Sequence, residues 1–271
     1  MSFPVPEPTA APVSVLMYHA VGKRDLPAAD PHYTVRSHDF ERQLALIRAR
    51  RLRATSVRSL LAGDARDGAV AITFDDGHES NARAAAWVEN AGGTADFFVN
   101  PSTVGSAGFL DWASLRAMAR SGHSIQSHGL NHRYLDELPD DAVWRELRDS
   151  KSRVEDEIGQ PVTIFAPPGG RVTPVVMRLA REAGYEALCG SSVALWRQPA
   201  SRWPIPRLAV TAAVDEARFV RWICQDELEM ARMRLRYATL QAAKRVLGNR
   251  RYDRLREAIL RPSRAHASGV R

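Results

Sequence analysis

The chain has 271 residues, of which 45% are hydrophobic and 25% are charged, and its formal net charge is +7. This composition is that of a globular protein, and it excludes a disordered, collagen-like or coiled-coil structure for most of the chain. No stretch approaches the ~18 consecutive apolar residues that a transmembrane helix requires.

Short apolar runs bounded by turn residues predict six β-strands in the first 215 residues. In chain order these are Val13–Tyr18, Val70–Phe74, Ala95–Val99, Ser124–Gln126, Val162–Phe165 and Ile205–Val210. Amphipathic segments between them predict helices at Asp39–Arg50, Ser80–Asn90, Trp112–Ser121, Asp140–Ile158 and Pro174–Ala183. Regular alternation of strand and helix predicts parallel strands covered by helices, in a βα barrel or a doubly wound sheet.

The basic charge is concentrated at the C-terminal end of the chain. From Glu216 onward there are 14 Lys or Arg residues against six acidic ones, so the first 215 residues together carry −1. The strand signals stop there, and Glu216–Leu247 and Tyr252–Leu260 are predicted to be helical. We therefore predict a flexible N-terminus over residues 1–12, an α/β domain over 13–215, and a basic helical extension over 216–271.

Two adjacent carboxylates follow the second predicted strand, in the sequence Thr73-Phe74-Asp75-Asp76-Gly77. Because successive side chains of a strand alternate faces, one carboxylate can bind a metal while its neighbour faces a substrate. An acidic, solvent-exposed turn is the alternative interpretation, since Asp-Gly is a common turn signal.

Two histidines four residues apart, His128 and His132, follow the predicted strand Ser124–Gln126. At this spacing both imidazoles can converge on one ion. Two imidazoles and one carboxylate leave coordination positions open, as a hydrolytic metal site requires. With only two cysteines in the chain, a zinc site built from cysteines is excluded.

Two further segments lie at predicted strand ends. The loop Ala166–Arg171 contains Pro168 and Gly169, and the amide of Gly169 could reach a reacting oxygen; a rigid strand-to-helix turn is the alternative. His19 ends the first strand and could donate a proton to a leaving group, or it could be a hydrogen-bonded histidine at the rim of the core.

Together these four segments resemble the polysaccharide deacetylases of carbohydrate esterase family 4, over roughly Val13 to Val210. The resemblance implies a distorted (β/α) barrel that removes acetyl groups from N-acetylated sugars. Thr73–Gly77 matches the family's TFDDG motif, which implies that Asp75 is the base and Asp76 a metal ligand.

The histidine pair matches the family's H-[ST]-x-x-H ligands, so the resemblance implies a site formed by Asp76, His128 and His132. Zinc is the expected divalent ion, with cobalt, nickel or manganese also compatible with these ligand types. Gly129 stands where the family usually has Ser or Thr, which predicts the loss of one supporting hydrogen bond.

The loop after the fifth strand departs further from the family pattern R-x-P-Y, because Ala166 and Gly169 replace its Arg and Tyr. The resemblance then implies an oxyanion-binding or substrate-positioning role for Gly169, Pro168 and Arg171, with Arg171 as the substitute for the arginine that orients the base.

The chain has no late Leu-x-x-His for the catalytic acid. In the exopolysaccharide poly-N-acetylglucosamine deacetylases this acid comes from an N-terminal Tyr-His, which Tyr18-His19 matches. The resemblance is therefore closest to that subgroup and assigns the acid role to His19.

Two other functions stay open at this point. One is a carbon–nitrogen hydrolase of a small amide, and the other is a carbohydrate-binding barrel that has lost turnover. The replacements at Gly129, Ala166 and Gly169 favour the second, whereas intact Asp75 and the predicted metal ligands argue against it.

The predicted partner is an N-acetylated glycan. The extension has the charge to contact an anionic membrane through residues 216–261, although such a helix more often packs on its parent domain. A nucleic-acid partner is not expected, because no recognisable binding motif accompanies the charge. The first 22 residues contain no Lys or Arg and no apolar signal region, so we expect a cytoplasmic protein, peripheral to the inner face of the membrane if the extension binds lipid.

Overall fold

A computed structural model describes residues 11–64, 68–197 and 202–247 of the chain. The strands are β1 Ser14–Tyr18, β2 Ala20–Val21, β3 Thr34–Val35, β4 Arg53–Thr55, β5 Ala69–Phe74, β6 Asp96–Val99, β7 Ser124–Ser127, β8 Ile164–Phe165, β9 Ala187–Leu188 and β10 Leu208–Ala209. The helices are α1 Ser37–Ala49, α2 Val57–Leu61, α3 Asn81–Asn90, α4 Trp112–Arg120, α5 Asp140–Ile158, α6 Pro174–Glu182, α7 Glu216–Ile223 and α8 Glu227–Leu247. Short 3₁₀ turns occupy Leu135–Glu137 and Pro168–Gly170.

Eight of these strands form one sheet in which every pair is parallel. The strand order is β10-β1-β5-β6-β7-β8-β9, and β4 pairs with the first half of β5. A parallel bridge between Cys189 and Ile205 joins the end of β9 to the segment that leads into β10. The sheet therefore curls round toward a closed ring, which confirms the predicted distorted (β/α) barrel.

Side-chain alternation along the strands produces two apolar cores. On β5, Val70, Ile72 and Phe74 pack outward against the helices, whereas Ala69 and Ala71 face the interior of the barrel. The interior core also contains Val15, Phe98, Ile164 and Trp196. The indole of Trp196 is buried, and its backbone forms an antiparallel bridge with Val13. The carboxyl ends of the strands are left for polar side chains.

The segment predicted as the extension begins with two helices separated by Cys224–Asp226, where Gln225 has a φ of +60°. The first of them, α7, is amphipathic and buries Phe219, Trp222 and Ile223 in the outer core. The second, α8, runs on from there to Leu247. The predicted helix Tyr252–Leu260 lies outside the described residues, as do residues 1–10 of the predicted flexible N-terminus.

Within the described ranges, no helix combines the length and the apolar character needed to cross a membrane.

Candidate active site

Strand alternation places the base candidate inside the barrel. Because Ala69 and Ala71 of β5 face the interior, the same parity carries Thr73 and Asp75 to that side. The amide of Asp75 donates to the carbonyl of Tyr18 at 2.9 Å, which extends the β1–β5 pairing by one residue. Asp75 is thus buried at the carboxyl end of the strand, where a parallel barrel carries its functional groups.

A buried arginine donates a hydrogen bond to each carboxylate oxygen of Asp75. Nη1 of Arg207 donates to Oδ1 at 2.7 Å and Nη2 donates to Oδ2 at 2.9 Å, while Nε donates to the carbonyl of Gly190 at 2.9 Å. Burial acts to raise the pKa of Asp75, but the charge and hydrogen bonds of Arg207 outweigh it and hold that pKa below its usual range. Asp75 is therefore an oriented carboxylate.

Asp76, His128 and His132 come together beside it. Their ligand atoms all lie within 4.8 Å of one another. Oδ1 of Asp76 is 3.2 Å from Nε2 of His128 and 3.1 Å from Nε2 of His132. Asp76 and His132 both have positive φ, +73° and +52°, an uncommon backbone conformation for residues other than glycine that is often found at functional sites.

The hydrogen bonds around this cluster prepare it to bind a cation. Nδ1 of His128 lies 2.7 Å from the carbonyl oxygen of Ala166, so it carries the proton and donates it, and Nε2 keeps its lone pair toward Asp76. The triad therefore presents one carboxylate and two imidazoles as ligands.

The geometry of the three residues fits a divalent metal ion. The buried Oδ1 of Asp76 has no hydrogen-bond partner among the described residues, although two imidazole nitrogens lie close to it. Ligands at the ~2.0–2.1 Å typical of zinc stand about 3.3 Å apart around a tetrahedron, close to the 3.1 and 3.2 Å found here. A metal site requires nitrogen and oxygen ligand atoms that converge on one point without hydrogen bonding to one another.

The loop that carries the two histidines is anchored by a glutamate of α5. The buried carboxylate of Glu146 accepts hydrogen bonds from the amides of Leu130 and Asn131, at 2.8 and 2.9 Å, and from the side chain of Asn131 at 2.9 Å. Gly129 has a φ of +85°, and a Cβ there would lie 3.5 Å from Oε2 of Glu146. Glu146 therefore anchors the histidine loop beside Gly129, the position at which the resemblance leads us to expect a Ser or Thr side chain.

His19 lies at the carboxyl end of β1, across the same cavity. Its ring stacks on Tyr33 with centroids 4.5 Å apart, and its carbonyl accepts a hydrogen bond from Asn81. Burial lowers the pKa of His19, while the charges of Asp76 and Asp75 act to raise it. Its buried Nδ1 has no hydrogen-bond partner in the described part of the chain.

The loop after β8 meets the histidine loop at Tyr134. Gly169 has a φ of +66°, and a Cβ at this position would lie 2.8 Å from Cε1 of Tyr134. The ring of Tyr134 therefore occupies space next to position 169, into which a larger side chain would project. Pro168 begins the 3₁₀ turn that sets this backbone conformation.

Arg171, predicted to orient Asp75, contacts other side chains in the structure. Nη1 of Arg171 binds Asp136 at 3.1 Å and Glu137 at 2.7 Å, and the guanidinium lies 3.6 Å from the ring centroid of Tyr134. These acidic partners hold Arg171 at the rim of the cavity. The arginine that contacts the carboxylate of Asp75 is Arg207, which lies 132 positions from Asp75 in the sequence and belongs to none of the motifs.

One cavity of about 530 Å³ joins these groups. Its floor is polar and consists of Asp75, Asp76, His19, His128, His132 and Arg207. Its walls include Tyr33, Tyr134, Gly169, Arg171, Met233 and Tyr237. Every predicted site residue except Pro168 therefore lines this cavity, and Pro168 is buried directly beside Gly169.

Comparison with known proteins finds a family model that matches part of the chain. Residues 62–188 match the family model described as polysaccharide deacetylase. The chain is 29% identical over 139 residues to the peptidoglycan-N-acetylglucosamine deacetylase of Bacillus cereus. The aligned segment covers 51% of this chain and 61% of that protein. The chain spans between 42% and 61% of the lengths of the curated relatives it matches.

Solved structures share the fold. The deacetylase PplD of Streptococcus pyogenes, in complex with acetate, superposes with a TM-score of 0.72 at 20% identity, over 79% of this chain and 99% of PplD. IcaB of Ammonifex degensii superposes with a TM-score of 0.69 at 23% identity, over 79% of this chain and 98% of IcaB.

Proposed function

We propose that this protein, whose residues 62–188 match the polysaccharide deacetylase family model, hydrolyses the N-acetyl groups of a glycan that contains N-acetylated amino sugars. The observation that carries the proposal is the convergence of Asp75 with Asp76, His128 and His132 in one cavity. An oriented carboxylate beside a three-ligand metal site is the combination that metal-assisted amide hydrolysis requires.

In this proposal Asp75 is the general base. It removes a proton from the attacking water as the new C–O bond forms at the N-acetyl carbonyl. Arg207 donates to both oxygens of Asp75, which fixes the carboxylate plane and leaves its remaining lone pairs to accept that proton.

His19 is the proposed acid. When the C–N bond breaks, its imidazole gives a proton to the departing amine, and acetate and a free amino sugar are the products. Stacking on Tyr33 holds the ring at the cavity wall. The lowered pKa of His19 makes the imidazolium a stronger acid toward that amine.

Asp76, His128 and His132 would hold the divalent ion, and zinc is the proposed metal because one carboxylate and two imidazoles with an open position form a common catalytic zinc site. When bound, such an ion polarises the N-acetyl carbonyl and lowers the pKa of water. Gly169, which lines the cavity, and the adjacent buried Pro168 are the proposed groups that position the carbonyl oxygen as it develops negative charge.

N-acetylglucosamine is the proposed sugar. The B. cereus relative is named for peptidoglycan N-acetylglucosamine, and the Tyr18-His19 pair resembles the poly-N-acetylglucosamine subgroup. The cavity has the volume of a small-molecule pocket, within the ~300–1,000 Å³ that such pockets span, and accepts a short glycan segment.

Acetate release from N-acetylglucosamine oligomers tests the proposal. Wild type, Asp75→Asn and the exposed control Asp39→Asn are each stripped with a chelator and then loaded with zinc. We expect zinc-dependent release from wild type and Asp39→Asn, reduced ~10²–10⁴-fold in Asp75→Asn. Release that is equal in all three proteins, or no release from zinc-loaded wild type, contradicts the proposal.

The two alternatives give different outcomes. A carbon–nitrogen hydrolase of small amides would release no acetate from the oligomers but would hydrolyse members of a panel of soluble amides. A carbohydrate-binding barrel would bind the oligomers without turnover. The intact cluster of base and metal ligands favours the deacetylase over both.

We also propose that the outer face of α8 contacts an anionic membrane. Leu228 and Leu235, seven residues apart on one face, are 70% and 69% exposed, and the neighbouring Arg232, Arg234 and Arg236 are exposed as well. An apolar stripe flanked by arginines is typical of helices that lie on anionic lipid.

Vesicle sedimentation at low salt tests this contact. We expect binding to vesicles that contain phosphatidylglycerol, weaker binding of Leu235→Asp, and none to phosphatidylcholine vesicles. Equal recovery with both vesicle types would refute the contact. The location at the inner face of a membrane stays a prediction.

A further inference from the structure

The cavity above the candidate base is closed on one side by α8, which lies outside the segment matched by the family model. Met233 and Tyr237 of this helix line the cavity. They are four residues apart and so lie on one face of the helix, and both are partly buried. Leu235, on the opposite side of the same turn, is exposed.

The inward face of α8 is held against the barrel at its start. Met230 is buried in the outer core one turn before Met233. Glu229 is also buried and forms ion pairs with Arg218 at 3.1 Å and Arg221 at 3.3 Å, both on α7. Because α7 packs its apolar side into the same core, these contacts fix the direction in which α8 crosses the mouth of the cavity.

The walls of the cavity differ in chemistry from its floor. The floor carries carboxylates, imidazoles and Arg207, whereas Met233 and Tyr237 present a thioether and a phenol ring on the α8 side. Tyr134 is 41% exposed and presents a second phenol ring, against which the guanidinium of Arg171 packs. Sugars have apolar C–H faces and polar edges, and aromatic rings and thioethers bind such faces well.

We propose that Met233 and Tyr237 of α8 bind the substrate glycan and determine which sugar segment the site accepts. This inference rests on the proposed deacetylase function. The two side chains pack on the apolar face of the sugar ring whose N-acetyl group points to Asp75, and Tyr134 bounds the ring on the loop side. The basic extension therefore contributes to the active site as well as to the surface charge.

Steady-state kinetics with N-acetylglucosamine pentamer test this assignment in zinc-loaded protein. We expect Tyr237→Ala and Met233→Ala to raise KM about three- to tenfold each with kcat retained, because a partly buried ring or thioether contributes a contact of that size. Tyr237→Phe keeps the ring, so its KM should stay near that of wild type.

Ala231→Ser and Thr239→Ala are the matched controls, since both residues are exposed and lie on the side of the same helix that is opposite Met233 and Tyr237. Both should leave KM unchanged. Circular dichroism shows whether α8 keeps its helicity in all variants. A KM that stays at the wild-type value in Tyr237→Ala and Met233→Ala, or that rises equally in the two controls, overturns the inference.

A binding measurement separates this inference from the proposed function. Chelator-treated protein, in which turnover is stopped, is titrated with the same pentamer in a calorimeter. We expect Tyr237→Ala to bind more weakly than wild type by the factor found in KM. Acetate release by wild type with undiminished pentamer binding in Tyr237→Ala refutes the α8 contact and leaves the function standing. Neither release nor binding by wild type refutes both.

Discussion

Arg207 donates two parallel hydrogen bonds of 2.7 and 2.9 Å to the carboxylate of Asp75, and both side chains are almost completely buried. A planar guanidinium makes this bidentate contact and a lysine cannot. Removing one partner of a buried ion pair leaves the other charge without compensation, at a typical cost of ~3–5 kcal/mol. Arg207 therefore affects both stability and the alignment of the base.

We expect Arg207→Met to lower the free energy of unfolding by about 3–5 kcal/mol. The loss of the positive charge should also raise the pKa of Asp75. Since Asp75 acts as the base in its ionised form, the acidic limb of the pH profile of kcat/KM should move to higher pH. Urea unfolding and a pH–rate profile measure the two effects.

Two further variants control for Arg207→Met. Arg207→Lys keeps the charge and should retain more stability while losing kcat through the lost second hydrogen bond. The double variant Asp75→Asn/Arg207→Met removes both charges and should be more stable than Arg207→Met alone. If the double variant is the less stable of the two, the ion pair is not the source of the effect.

The position of Gly169 against Tyr134 predicts an effect on substrate binding. Alanine at 169 must adopt a φ of +66° and place its Cβ 2.8 Å from the Tyr134 ring. The exposed ring can swing aside, so we expect a loss of stability of only about 1 kcal/mol from the backbone strain. The displaced ring should, however, raise KM for the glycan.

Gly92→Ala is the matched control, because Gly92 has a φ of +75° and a Cβ at this position would meet nothing within 4 Å. The two variants should lose similar stability in urea unfolding, and only Gly169→Ala should change KM. Equal kinetics for both variants would show that Tyr134 has no part in binding.

Glu146 should support metal affinity without touching the ion. Its carboxylate accepts three hydrogen bonds from Leu130 and Asn131, which precede the ligand His132. Groups that orient metal ligands typically contribute 10–100-fold to affinity. We expect Glu146→Ala to weaken zinc binding by about that factor, measured by competition with a chelating indicator. Asp156→Asn, at an exposed position of the same helix, should bind zinc as wild type does. An unchanged affinity in Glu146→Ala would contradict this role.

The sequence is sufficient for the residues that lie close together along the chain. Asp75 and Asp76 are adjacent, and His128 and His132 are four apart, so local strand and loop patterns place them at one rim of the barrel. The pattern predicts helix Asp140–Ile158 with the bounds that the structure has, because 19 residues offer five turns of periodic burial. Strand–helix alternation predicts a parallel sheet covered by helices, and the resemblance to the deacetylase family selects the barrel over the doubly wound sheet.

Contacts between distant segments could not be predicted in the same way. Arg207 reaches Asp75 only because β10 pairs with β1 and β1 pairs with β5. Glu146 contacts the histidine loop through the packing of α5, which one sequence does not disclose. β2, β3 and β9 have two residues each and β4 has three, too few for an alternation pattern.

Asp96 predicts an unusual pH dependence of stability. This buried carboxylate accepts hydrogen bonds from the amides of Val57 at 2.5 Å and Arg58 at 3.3 Å, at the start of α2. Burial outweighs these bonds and raises its pKa to about 6. Between pH ~4 and 6 the folded state therefore binds more protons at Asp96 than the unfolded state does, so its contribution to stability falls as the pH rises through this window.

The difference in unfolding free energy between wild type and Asp96→Asn isolates this effect, because the other titrating groups cancel. We expect wild type to lose stability relative to Asp96→Asn between pH ~4 and 6, by up to about 3 kcal/mol, and the difference to level off above pH ~7. The exposed control Asp64→Asn should show no such fall. A difference that grows in favour of wild type as the pH rises would mean that the hydrogen bonds from α2 outweigh burial and that Asp96 is ionised throughout.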